Sequence, residues 1–178
     1  GSYETEDSSG SAILATEDSG ENWDLKWTYP DIDKHDHNNL NSIHMVNNTA
    51  YAVGENGLIV KSIHPDSFRI INADTDLPLN KVFFSDEEHG WIAGGYFNDV
   101  GDYRFILLKS IDGGESWQDI QNFNYKINDM FFEDNLHGWA VGSDSSNTDN
   151  WPAGHGVILE TIDGGESWTT LIEGLSAP

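Results

Sequence analysis

Apolar residues along this chain come in short runs: Ala12-Ile13-Leu14, Leu58-Ile59-Val60, Phe105-Ile106-Leu107-Leu108 and Val157-Ile158-Leu159. Each is followed by a polar reversal and then a brief alternating stretch, clearest in Trp117-Gln118-Asp119-Ile120 and Trp168-Thr169-Thr170-Leu171-Ile172. Runs of that length bounded by turn residues predict strand, turn, strand. A second set of paired runs precedes them. Ile43–Val46 returns as Ala50–Gly54, Lys81–Phe84 as Trp91–Gly94, and Asp129–Phe132 as Trp139–Gly142.

The reversals are copies of one another. Ser110-Ile111-Asp112-Gly113-Gly114-Glu115-Ser116-Trp117 reappears as Thr161-Ile162-Asp163-Gly164-Gly165-Glu166-Ser167-Trp168. A looser copy is Thr16-Glu17-Asp18-Ser19-Gly20-Glu21-Asn22-Trp23, and a decayed one is Ser62–Phe68. Their first residues lie 46, 48 and 51 positions apart, the spacing of an array of supersecondary units. In phase with them, Phe83-Phe84-Ser85-Asp86-Glu87-Glu88-His89-Gly90-Trp91 recurs as Phe131–Trp139. Each complete unit therefore reads as four short strands, a β-propeller blade.

The expected fold is all-β: a flexible segment over 1–10, a half blade over 11–27, and blades at about 41–72, 81–122 and 127–173. Three and a half blades do not close a ring, since propellers have four to eight four-stranded blades. The expectation is a segment of a longer propeller whose open flanks offer a surface for self-association. Within each turn the Asp carboxylate can accept bonds from backbone N–H groups ahead of it. The Gly two places later (Gly20, Gly114, Gly165) can supply a positive φ, and the Trp re-enters the sheet as an apolar plug.

The pattern S/T-x-D-x-G-x-x-W, carried by Thr16, Asp18, Gly20 and Trp23, by Ser110, Asp112, Gly114 and Trp117, and by Thr161, Asp163, Gly165 and Trp168, resembles the Asp-box, or bacterial neuraminidase repeat. That resemblance implies a structural turn in the outer hairpin of a propeller blade, with chemistry placed elsewhere. Paired with the H-G-W hairpins, the chain is similar to the photosynthesis-system-II assembly/stability factor-like repeat proteins over about Ser11 to Glu173. The family implies a seven-bladed propeller. It includes assembly factors and many exported bacterial proteins, and sortilin-type receptors and xyloglucan-cleaving glycosidases look similar at the level of the blade. The photosystem factors resemble one another in an arginine-rich patch, whereas this chain has Arg69 and Arg104 alone.

Charge narrows the function classes. Thirty-one acidic residues against eight basic ones give −23, so there is no basic footprint for nucleic acid. A basic partner, bound cations or a salty medium suits such a surface. No apolar run is long enough to insert in a membrane as a helix. With no Cys, disulfides, thiol catalysis and Cys-ligated metals are excluded. Richness in Asp, Asn, Gly and Trp with few Lys points to an exported bacterial protein, extracellular, periplasmic or in the cell envelope.

Candidate chemistry lies away from the turns. The blade plan puts the Asp-box and H-G-W turns at one end and the longer loops, Thr28–Asn39, Gly95–Arg104 and Ser143–Gly156, at the other. Those loops carry Tyr29, Tyr96, Tyr103 and Trp151, aromatic groups able to stack on a sugar or anchor a protein. Sialidase chemistry needs three arginines on the substrate carboxylate, and two are present. A glycosidase needs two carboxylates about 5–10 Å apart. Asp129, on a strand lining the hub, is the catalytic candidate. Asp33, His35 and His37 have a divalent-metal spacing, and Asp144 and Asp149 sit in an oxygen-rich stretch suited to calcium. No other cofactor is expected.

The leading expectation is a non-enzymatic module that binds a protein or polysaccharide through its loop-rich face. The alternatives are part of a xyloglucanase-like hydrolase and a cation-stabilised scaffold.

Overall fold

A computed structural model describes residues 2–4, 9–30, 38–64, 67–97, 103–120, 125–144 and 156–175. The strands fall into four antiparallel sheets in chain order. The first holds β1 (Ser2–Glu4), β2 (Ser9–Ala15) and β3 (Asp24–Pro30). The second holds β4 (Leu40–Val46), β5 (Thr49–Gly54), β6 (Ile59–His64) and β7 (Ser67–Ile71). The third is β8 (Leu79–Phe84), β9 (Gly90–Phe97), β10 (Tyr103–Ser110) and β11 (Gln118–Asp119). The fourth is β12 (Tyr125–Phe132), β13 (Gly138–Asp144), β14 (Gly156–Thr161) and β15 (Thr169–Leu175). No helix among the described residues is long and apolar enough to cross a membrane.

The stretch 1–10, expected to be loose, contains β1, which pairs Ser2–Glu4 with Ser9–Ser11. The first unit therefore has three strands instead of two. The first strands of the other sheets each carry a bulge at the same place, at Asn41, Asn80 and Asn128, where the register skips a residue. Two of these asparagines hold the neighbouring backbone, Asn41 donating to Leu79 O (3.0 Å) and Asn80 to Gly95 O (3.1 Å). Such bulges re-aim a strand. The recurring L/I-N pair was a sequence signal for them.

The core lies between sheets. Tyr51, Val53 and Ile59 of the second sheet close on Val82, Phe84, Ile92 and Leu108 of the third. Trp91, Ala93 and Leu107 of the third close on Met130, Phe132, Ala140 and Leu159 of the fourth. The first junction is smaller: among the described residues its buried cluster is Ile13, Ala52, Leu58 and Val60.

Each large junction has the same centre. Tyr51 stacks on Phe84 at 3.8 Å, and Trp91 on Phe132 at 3.6 Å. The same rings donate across the junction, Tyr51 Oη to Gly113 O (2.8 Å) and Trp91 Nε1 to Gly164 O (2.9 Å). Phe84 and Phe132 lie over Gly90 and Gly138, where a Cβ would come within 2.5 and 2.4 Å of the ring. That contact explains the glycine of H-G-W.

The plug expected of the Asp-box tryptophans is thus supplied mainly by others. Trp117 and Trp168 are half-buried, edge-on to Phe84 and Phe132 (5.8 and 6.0 Å). Trp23 is 59% exposed, and among the described residues its sheet has no strand bearing the phenylalanine that Trp117 and Trp168 meet. Met45, at the position of Phe84 and Phe132 in the register, is 63% exposed.

Phe132→Ala should cost about 3–5 kcal/mol, as expected for a fully packed ring. Met45→Ala at the equivalent position should stay within about 0.5 kcal/mol. Denaturant unfolding of both variants checks the difference.

Candidate functional site

The turn end is built from side chains that satisfy their own backbone. Asp112 Oδ1 accepts from the N–H groups of Glu115 (3.1 Å) and Ser116 (3.0 Å), while Oδ2 accepts from Ser116 Oγ (2.6 Å). Ser110 Oγ donates to Asp112 (2.8 Å) and accepts from Gly114 N (2.8 Å). Thr161, Asp163, Gly165 and Ser167 repeat the arrangement, as do Thr16, Asp18, Gly20 and Asn22.

Two successive residues take positive φ in each turn: Gly113 and Gly114, Gly164 and Gly165, Ser19 and Gly20. Sequence reasoning anticipated only the second of each pair. The decayed copy differs, because β6 runs through to His64 and Ser62 Oγ accepts from Ala50 N instead (2.8 Å).

The H-G-W turns work alike. Asp86 accepts from the N–H groups of Glu88 (2.8 Å) and His89 (2.7 Å), and Asp134 from Leu136 (2.7 Å) and His137 (2.6 Å). The two turn types touch: Gly113 N donates to Glu88 O and Gly164 N to Leu136 O. They share one end of the sheets, as the blade plan required.

Lysines finish the junctions. Lys61 Nζ reaches Gly113 O (2.7 Å) and Glu115 (2.6 Å), where Arg69 also pairs with Glu115, and Lys109 reaches Glu166 (3.1 Å). Sequence reasoning missed these. The signal was a lysine immediately before the turn, matched by a glutamate six residues into the next turn of full pattern.

Ionisation follows the same geometry. Burial works to raise Asp112, but bonds from Ser116, Ser110 and Glu115 outweigh it and hold the carboxyl down at about 2. The backbone N–H and side-chain amide of Asn22 do the same for Asp18, also to about 2. His44 is half-buried at the second junction, where its Nε2 donates to Phe84 O (3.1 Å), and burial lowers its pKa.

The opposite end carries the candidate tyrosines. Tyr96 and Tyr103, on β9 and β10, are 42% and 43% exposed, and their register places them on opposite faces of the sheet. Tyr29 stacks beside Trp27 (5.9 Å) and borders a cleft of about 510 Å³ between the first two sheets. Asn38, Asn56, Asn72 and Thr75 supply its polar lining, Leu58 and Ile71 its apolar part, and no lining residue is charged. The three tyrosines therefore share an end but do not converge. Trp151 lies outside the described residues.

Asp129 is committed elsewhere. Its carboxylate pairs with Lys81 (2.6 Å) and accepts from Met130 N (3.0 Å), and the Lys81 contact lowers its pKa. A general acid needs the opposite shift. Of the described carboxylates with a resolved shift, Asp119 moves upward, because burial outweighs the opposing charge of Arg104. Among the described residues no three His, Asp or Glu side chains gather as metal ligands. Asp33, His35, His37 and Asp149 lie outside the described residues, and Asp144 ends β13.

No known family model and no curated protein matches the chain. Solved structures do. YCF48 from Cyanidioschyzon merolae superposes with a TM-score of 0.57 and 14% identity, over 88% of this chain and 45% of that one. YCF48 bound to D1 peptide gives 0.52 and 15%, over 88% of this chain and 60% of that one. At such identity the likeness concerns the fold. Together with the sheets and their junctions it defines the class: the chain is a run of β-propeller blades. It spans about half the length of those two proteins.

Two titrations should appear in thermal melts. Asp112 has its folded pKa below the ordinary 3.8, so its contribution is full above about pH 4 and is lost as pH falls towards about 2. Asp112→Asn should lower Tm at pH 7 and flatten that acid limb. His44 is also lowered, so the fold loses stability as pH drops below about 6.5. His44→Phe, the residue found at the equivalent positions 83 and 131, should remove that shoulder.

Proposed function

We propose that this chain is an Asp-box propeller module of an exported bacterial protein. It binds a protein partner through its loop-bearing end and carries out no chemistry of its own. The observation that carries the reading is the division of labour between the two ends. At one, every Asp and Ser/Thr of the full turns is consumed in local hydrogen bonds. At the other, Tyr96 and Tyr103 project unburied.

Support comes from the structural neighbour described as bound to D1 peptide, a propeller that holds a polypeptide. Net charge of −23 favours a basic partner. The hydrolase alternative would need Asp129 freed from Lys81, and the cation-scaffold alternative rests, apart from Asp144, on stretches outside the described residues. A Tm raised by calcium but not by matched sodium chloride would mark the latter.

Selection of a random peptide display library on the immobilised chain tests the proposal. Enriched peptides should carry net positive charge and lose at least about tenfold in affinity to the Tyr96→Ala/Tyr103→Ala variant, as truncating interface aromatics does. Glu17→Gln, at the turn end, should leave binding unchanged. No enrichment, or binding indifferent to both tyrosines, would reject the reading. Release of reducing ends from soluble glucans, abolished by Asp129→Asn, would establish the hydrolase instead.

A further inference from the structure

The face of the fourth sheet turned away from the third repeats the donor side of a junction but has no acceptor among the described residues. Trp139 pairs with Phe131 as Trp91 pairs with Phe83 and Tyr51 with His44. Val141 corresponds to Ala93 and Val53, and Ile158 to Leu107 and Ile59. In the inner sheets those positions are sealed, Val53 and Ile59 at 0%, Ala93 and Leu107 at 1%. In the fourth, Val141 is 44% exposed, with Phe131 at 57% and Ile172 at 45%. Trp139 donates to nothing among the described residues.

One position departs from the copy. Where Lys61 and Lys109 stand before their turns, the fourth sheet has Glu160, opposite Trp139 in the register. The two lysines meet Glu115 and Glu166, the sixth residues of the following turns. Reversing one member of such a pair demands reversal of the other, since two carboxylates in that half-buried place would repel.

We infer that this face receives a further blade of the same repeat, whose turn carries a lysine or arginine where Glu115 and Glu166 stand. That blade brings a phenylalanine for Trp139 to stack on and a turn-glycine carbonyl to accept from its indole N–H. A second copy of this chain does not fit. Its first turn offers Glu21 at the sixth position, and its first sheet has no strand bearing the phenylalanine. Lys61 and Glu115 define a pairing rule between neighbouring sheets, and Glu160 inverts its sign.

A tandem chain tests the rule: residues 1–178 followed, through a flexible Gly/Ser linker of about ten residues, by a second copy of residues 79–178. Residue 115 of that second copy is either Glu or Lys. Solvent exchange of the Trp139 indole N–H, followed by NMR, reports docking, and the Trp91 indole serves as the folded control. With Lys the Trp139 signal should be protected about tenfold more than with Glu, as expected for an ion pair gained and a like-charge contact avoided. Glu160→Lys in the Glu tandem should restore the protection. Equal protection in both tandems, or none in either with Trp91 still protected, would overturn the inference.

Discussion

A single contact, one ring closing over the next sheet, organises this molecule. Tyr51 and Trp91 each present a flat face to a phenylalanine and a polar edge to a backbone carbonyl. Stacking alone would allow the sheets to slide. The hydrogen bond, made where water is excluded, fixes the angle and height at which they meet. Four features of the repeat become one device: the phenylalanine pair, the glycine it covers, the aromatic residue after that glycine, and the left-handed glycine whose carbonyl is offered up.

What could be read from the sequence was whatever is decided within about eight residues. Asp112, Ser110 and Ser116 satisfy a turn they themselves form, so their spacing announced it. Period and strand count followed from copying that turn. Burial of particular rings was another matter. Trp117 and Trp23 were expected to be plugs, yet Trp91, of which no burial was expected, is the ring a neighbouring sheet seals, while Trp23 stays wet. The same dependence hid Lys61 and Lys109, whose partners lie more than fifty residues ahead. Candidate binding residues were legible as aromatic side chains on loops, but their mutual placement was not: Tyr96 and Tyr103 prove to face opposite ways, and Tyr29 belongs to a different junction.

The acidic composition also divides in two. Asp18, Asp86, Asp112, Asp134 and Asp163 are acceptors inside turns, with pKa values held below the ordinary carboxylate range. Ionised, they hold the backbone in place, and their negative charge has a structural use. The net charge of −23 sets the field a partner would meet.

Because the ring-to-carbonyl contacts sit at the turn end, the repeat can change length where it does not matter to them. The spacing grows from 46 to 51 residues along the chain while the full turns beginning at Thr16, Ser110 and Thr161 keep their form. New specificity can therefore be written into one rim by insertion, as text is added to a margin, and the binding that holds the pages together is never disturbed.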